Sequence, residues 1–350
     1  MSTKIILIEL WVIISLVLSQ NMSAAKKDGD DIVKNQEKNA RTVKQINEYG
    51  LGGVHAVTKY VEKNSGNATA FYPTDIKKLG KIPVIFFAPG WGATNPNGYK
   101  SLLNFIASHG YMVIYSRDQQ SYSVKHFLDS FEQILDKNNK IINYIDKNRL
   151  GVIGHSSGGG DSFKILDYFS KHGYGKNGRF LLALDPWFAF DMTSEAMQNL
   201  PKNSNIVIIQ FGKYGGTDPR IVLTEYKLLT SIPAKQKDYQ VYPGASHSYP
   251  TGNRPYKKMQ GMLKTLDALM DYTFNGNPAA YKTALAVGSD NPVEDGLQGV
   301  KPIEKYPYRC NSDANENNKL AIDYCSIKIP AEKITMPSVK QHKSVSHSDN

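Results

Sequence analysis

The chain is 350 residues long, about what one α/β domain needs to bury a full core once a leader and a polar tail are set aside. Its 42 Lys and Arg against 32 Asp and Glu give a net charge of +10, but the basic residues are scattered, so no nucleic-acid partner is expected. The two cysteines, Cys310 and Cys325, stand far from any histidine pair, which argues against a metal site.

Met1-Ser2-Thr3-Lys4 precedes an apolar stretch from Ile5 to Leu18, followed by Ser23-Ala24-Ala25 and Lys26-Lys27. This is the pattern of a signal peptide over residues 1–25, and export to the periplasm or the medium is expected. Glu9 and a length short of the roughly 20 residues of a membrane span argue against a retained anchor, so no span is expected after leader cleavage. In an exported chain, Cys310 and Cys325 are expected to form one disulfide closing a short loop, worth about 3 kcal/mol in the chain-entropy picture.

Residues 26–49 are polar and read as a lead-in; 50–337 read as one α/β domain; 338–350 lack periodicity and are expected to be disordered. Val54 to Val61 and Ala68 to Tyr72 read as outer antiparallel strands. Ile82 to Ala88 is continuously apolar, as a strand covered on both faces must be. A helix near Tyr99 to His109 and a strand from Tyr111 to Tyr115 follow. A long amphipathic helix is expected over 124–146, then a strand Leu150 to Ile153. Beyond the glycine-rich turn come a helix to about Phe169, a strand Phe180 to Leu184 and a strand Asn205 to Phe211. A helix near Pro219, a strand Tyr239 to Tyr242 and a helix Tyr256 to Phe274 complete the pattern. Strands alternating with helices of this length predict a mostly parallel sheet flanked by helices on both faces.

Gly154-His155-Ser156-Ser157-Gly158 sits between a buried strand and a helix, the context in which such a turn exposes a nucleophilic serine, here Ser156. Side chains at Gly154 or Gly158 would collide with the neighbouring strand or helix. An oxyanion formed on attack needs preorganised donors: the N–H of Ser157, and Trp91 in the loop Pro89-Gly90-Trp91-Gly92-Ala93. The base is read as His247, in the loop after the last strand. His155 is read as packing, His109 as a helix cap, and His342 and His347 fall in the tail. The orienting acid is Asp185, after the strand Phe180 to Leu184, with Asp218 as the alternative. Thr217-Asp218-Pro219 looks like a helix start, which gives Asp218 a capping role and favours Asp185.

On Pro89-Gly90-Trp91, Ala107-Ser108-His109-Gly110-Tyr111-Met112-Val113-Ile114, Gly151 to Gly160, Pro186-Trp187, Gly244 to Ser248 and the cysteine pair, the chain resembles the dienelactone-hydrolase-like branch of the α/β-hydrolases. The resemblance is strongest to cutinase-like polyester hydrolases of the poly(ethylene terephthalate)-degrading type, over about 82–325. It implies the α/β-hydrolase fold, an oxyanion hole at Trp91 and Ser157, and Trp187 as an aromatic wall of the acyl site. Those enzymes carry their acid after the strand equivalent to Asn205 to Phe211, where this chain has a longer segment with Asp218 late. Ala183-Leu184-Asp185-Pro186-Trp187-Phe188 resembles instead the platelet-activating-factor acetylhydrolases, whose acid comes from the earlier strand. The expectation is a monomeric serine ester hydrolase, without cofactor or metal, acting on small, lipid or polymeric esters through an acyl-enzyme. A lipid esterase and a catalytically silent binding protein on the same fold are the alternatives.

Overall fold

Every residue from Ile82 to Ala88 is buried, and this segment forms a strand with neighbours on both edges and helices on both faces. The computed structural model describes residues 52–61, 67–117, 123–212, 217–242, 244–285 and 322–324. The expected leader, the lead-in, Cys310, Cys325 and the tail lie outside these residues.

The strands are β1 (Val57–Val61), β2 (Ala68–Pro73), β3 (Ile82–Ala88), β4 (Met112–Ser116), β5 (Ile145–His155), β6 (Gly178–Leu184), β7 (Asn205–Phe211) and β8 (Lys237–Tyr242). They form one sheet in the order β1-β2-β4-β3-β5-β6-β7-β8. β1 and β2 pair antiparallel, and β4, β3, β5, β6, β7 and β8 run parallel. This is the α/β-hydrolase fold.

Side chains alternate between the faces of a strand, so each buried strand feeds two cores. Val84, Phe86, Val152, Leu181 and Ile208 face one layer, with Phe127, Phe131, Phe163, Phe169 and Ile221 from the helices above. Ile85, Phe87, Ile153, Leu182 and Ile209 face the other, against Leu102, Ile106, Leu263, Leu266 and Leu269. The helices are α1 (Ile76–Leu79), α2 (Lys100–Ser108), α3 (Lys125–Ile134), α4 (Ser157–Lys171), α5 (Ser194–Gln198), α6 (Pro219–Leu228), α7 (Gln260–Met270) and α8 (Tyr281–Leu285).

The helix expected over 124–146 is a correction: α3 ends at Ile134 and β5 begins at Ile145. Local side-chain bonds stop the helix. Asp136 Oδ1 accepts from the N–H of Asn138 at 2.7 Å, and Asn139 Oδ1 accepts from that of Ile141 at 3.2 Å. Asp and Asn compete with the helix ladder in this way. Ile145 and Asp146 then pair with Ile82 and Pro83, and the register shifts before Val84 meets Leu150.

Register also fixes where the loops emerge. Ala88 lies beside Gly154, His155 beside Leu184, Leu184 beside Ile209, and Phe211 beside Tyr242. The loops after β3, β5, β6, β7 and β8 therefore leave from one rim, where open α/β sheets bind ligands.

Ile322 and Tyr324 return to the first core. The Tyr324 ring meets Phe188 edge-on with centroids 4.8 Å apart. Its hydroxyl accepts from the N–H of Ala189 at 2.9 Å and reaches Glu225 Oε1 at 3.4 Å. Glu225 and Asp161 are buried, and each keeps one carboxyl oxygen without a hydrogen-bond partner. Burial pushes both carboxyls well above the usual range, aided at Asp161 by Asp191 and at Glu225 by Asp161.

A raised folded pKa means the folded state binds the proton more tightly. Stability from these groups is then full below the ordinary carboxylate range and is lost as pH climbs towards the folded value, by up to about 1.4 kcal/mol per unit and group. Thermal unfolding of Glu225→Gln beside the wild type at pH 5, 6.5 and 8 should show the variant gaining relative stability as pH rises. A pH-independent difference would contradict the assignment.

Candidate active site

The turn after β5 is built from the absence of side chains. A Cβ on Gly154 would stand 2.1 Å from the carbonyl oxygen of Gly158, and one on Gly158 would stand 2.2 Å from that of Ala88. Gly159 lies against Pro186, and Gly160 against the carbonyl oxygens of Trp187 and Phe188. With α4 drawn this close to the sheet, the link between strand and helix is a single residue. Ser156 takes it up at φ 55°, a left-handed conformation that costs a residue with a side chain of order 1–3 kcal/mol. Its N–H donates to Leu184 O at 3.0 Å, and its carbonyl accepts from Trp187 N–H at 2.7 Å. The backbone so held is partly solvent-accessible at Ser156.

His247 stands in the loop after β8, its ring about one third exposed. Its Nε2 lies 2.9 Å from Ser156 Oγ and its Nδ1 2.5 Å from Asp185 Oδ2. A carboxylate only accepts, so Nδ1 carries the hydrogen and Nε2 is left to accept from the serine hydroxyl. Asp185 is fully buried just past β6. Its Oδ1 accepts from Phe211 N–H at 3.1 Å, and its Oδ2 accepts from Thr217 N–H at 3.1 Å. Its backbone is the second non-glycine with positive φ, at 44°, and is pinned by Asp185 N–H to Ile209 O at 2.6 Å and Thr217 Oγ1 to Asp185 O at 2.7 Å. The paired strain at Ser156 and Asp185 is typical of positions held for function.

Asp218 does something else. Its Oδ1 accepts from Arg220 N–H at 2.9 Å and caps α6, and both its oxygens engage the Arg220 guanidinium. Of the two aspartates considered from sequence, the structure brings Asp185 to His247 and leaves Asp218 at the helix start.

Trp91 lies in the loop after β3 with 52% of its surface exposed. Ser157 opens α4 beside Ser156. Trp187 is half-buried, packed edge-on against Phe188 at 5.0 Å. His109 is the cap of α2, its Nδ1 bonded to Phe105 O at 2.7 Å.

His155 is more than packing. It is 3% exposed, its Nδ1 lies 2.6 Å from the Tyr99 hydroxyl, and its Nε2 lies 2.8 Å from the main-chain oxygen of His247. Burial, with His247 nearby, lowers its pKa to about 3. Tyr99 and Thr217 were not singled out from sequence. Tyr99 reads there only as the start of a helix, and nothing in Thr-Asp-Pro marks which residue will face a carboxylate at the end of the neighbouring strand.

Residues 42–168 match the family model described as "PETase: PET hydrolase-like". That span holds Trp91, Ser156 and Ser157 and ends before Asp185, Trp187 and His247. Among curated proteins the chain is similar to cutinase est2 of Thermobifida alba, 26% identical over 53% of this chain and 58% of the relative. It is also similar to cutinase est1 of the same organism, 31% identical over 29% of this chain and 34% of the relative. The chain is thus similar to cutinase/PET hydrolase-like α/β-hydrolases. The chain spans less than two thirds of the length of either relative. Asp185 stands after β6 and Asp218 after β7, the position the resemblance implies for the acid.

The turn makes a steric prediction. Gly158→Ala should cost about 3 kcal/mol, since the new methyl must displace backbone oxygens of Ala88 and Pro89. Gly98→Ala, whose Cβ meets nothing within 4 Å, should stay within about 0.5 kcal/mol of the wild type in urea unfolding. Equal effects would mean the close approach of α4 is not what constrains the turn.

Proposed function

We propose that the chain is an exported serine carboxylic-ester hydrolase working through an acyl-enzyme. The observation that carries this reading is the hydrogen-bonded line from Ser156 Oγ through His247 to Asp185, set on a strained turn at the rim of the sheet. Ser156 Oγ attacks the ester carbonyl while His247 Nε2 takes its proton. The buried Asp185 holds the imidazole in the tautomer that can accept, and stabilises the imidazolium that forms. The N–H groups of Trp91 and Ser157 receive the oxyanion. His247 then protonates the departing alcohol, and a water activated by the same ring releases the acid. No step calls on a metal or cofactor.

The substrates we infer are short-chain or aromatic esters, including polyesters. The printed names of the relatives, cutinases, and of the family, PET hydrolase-like, support this. Trp187, half-buried and joined through its N–H to the carbonyl of Ser156, is the residue we assign to the acyl-site wall. Lipid esters are the second reading, favoured by the carboxylate after β6 within Asp185-Pro186-Trp187-Phe188. Export rests on the leader pattern of residues 1–25, and a monomer is the working form in this reading; among the described residues no helix is long and apolar enough to cross a membrane.

An alkyl fluorophosphonate should label the wild type and fail on Ser156→Ala. On para-nitrophenyl esters, Asp185→Asn should lose at least about a hundredfold in kcat, since an amide can hold the imidazole in the wrong tautomer. Asp218→Asn, which keeps a capping oxygen, should stay within about threefold. A collapse of Asp218→Asn alone would move the acid to the position after β7, and an unlabelled wild type would favour a binding protein. Activity peaking at acetate or butyrate supports small esters; a maximum at palmitate supports lipids.

A further inference from the structure

In the reading above, a loop carrying Trp91 and a loop carrying His247 face each other across the ester. Between them lie Tyr99 and His155. Tyr99 is 2% exposed, at the start of α2, and His155 ends β5 beside the nucleophile. The N–H of Gly90 reaches the Tyr99 hydroxyl at 3.0 Å. Gly90 leaves room for this: a Cβ there would stand 3.2 Å from both the Tyr99 oxygen and His155 Nδ1.

The hydrogens along this line can be ordered in only one way. A main-chain carbonyl only accepts, so His155 Nε2 must carry a hydrogen and donate it to His247 O. The neutral ring then has its lone pair at Nδ1, which accepts from the Tyr99 hydroxyl, whose oxygen in turn accepts from Gly90 N–H. The result is a directed chain from the backbone of the oxyanion-side loop to the backbone of the base itself.

We propose that Tyr99 and His155 are positioning residues that lock the backbone of His247 to the backbone of Gly90, and so fix the base at 2.9 Å from Ser156 Oγ while Trp91 is held on the opposite side of the carbonyl. The proposal rests on the assignment of Ser156 and His247 as nucleophile and base. Burial keeps His155 neutral, so the order of the chain does not reverse across the working pH range. Neutrality matters for a second reason: its ring centroid is 4.7 Å from that of His247, which becomes an imidazolium during turnover. A charged neighbour at that distance would oppose the proton transfer; a neutral one anchored through the carbonyl does not.

The test uses Tyr99→Phe, His155→Phe, their double variant, and His155→Gln in the full chain, with kcat and KM on para-nitrophenyl butyrate and Tm by circular dichroism. Tyr99→Phe keeps the ring that packs on Phe87 at 4.9 Å and loses only the hydroxyl. Gln spaces an amide oxygen and nitrogen much as imidazole spaces its two nitrogens, so it can accept from Tyr99 and donate to His247 O. Misplacing a base by about 1 Å can cost about a hundredfold. Tyr99→Phe and His155→Phe should therefore each lower kcat between about tenfold and a hundredfold, with KM within about twofold. The double variant should lose no more than the worse single, because a chain already broken cannot be broken again, and His155→Gln should recover most of the rate. Unchanged kcat in both single variants overturns the proposal. So do additive losses that follow Tm and are not relieved by Gln. Hydrolysis surviving in Ser156→Ala would instead defeat the underlying assignment of nucleophile and base, a result these variants do not mimic.

Discussion

Where β3, β5 and β6 end, main chain presses on main chain with no space for one carbon between them. Gly154, Gly158, Gly159 and Gly160 each face backbone at distances no Cβ could occupy. Because of that contact, α4 begins one residue after β5, and Ser156 is forced into a conformation with its hydroxyl turned out of the sheet. The same pressure reaches β6, since Gly159 and Gly160 abut Pro186, Trp187 and Phe188, the residues that follow the buried carboxylate. One packing constraint thus sets the position of Ser156, the loop of Asp185 and the aromatic segment beside them.

Around that contact, polar groups are arranged so that few have a choice of partner. Asp185 is surrounded by donors: two N–H groups and the His247 ring, with a further hydroxyl on its carbonyl. Inside a low-dielectric interior such fully satisfied networks fix geometry more firmly than isolated bonds do. Asp218, one residue beyond Thr217, is equally well satisfied by Arg220 and the start of α6. Two aspartates near one rim are thereby committed to different work by what surrounds them.

Much of this was legible in the chain. Continuous apolar runs marked β3, β4, β6 and β7, since a strand covered on both faces has no polar side to show. The expectations at the site had other grounds: Ser156 from glycines between a buried strand and a helix, His247 from the loop after the last strand, and Asp185 from the capping look of Asp218-Pro219 and the resemblance to platelet-activating-factor acetylhydrolases. The segment 124–146 was misread because its apolar spacing suits a helix throughout, while the break comes from Asp136 and Asn139 bonding their own backbone, and Ile145 and Asp146 answer to β3. His155 and Tyr99 were missed as polar participants because their roles exist only between loops 56 residues apart. The place of Tyr324 was out of reach for the same reason, at 135 residues from Ala189.

That last contact says something about the order in which the molecule becomes complete. Tyr324 closes over Phe188, Ala189 and Glu225, yet it is synthesised only after the last strand, β8. A growing chain can assemble β1 through β8 and still leave the segment behind Trp187 without its cover and Glu225 without its hydroxyl. The segment of Phe188 and Ala189 therefore gains its cover only after the sheet is complete, and a chain cut short of residue 324 would carry all eight strands without it.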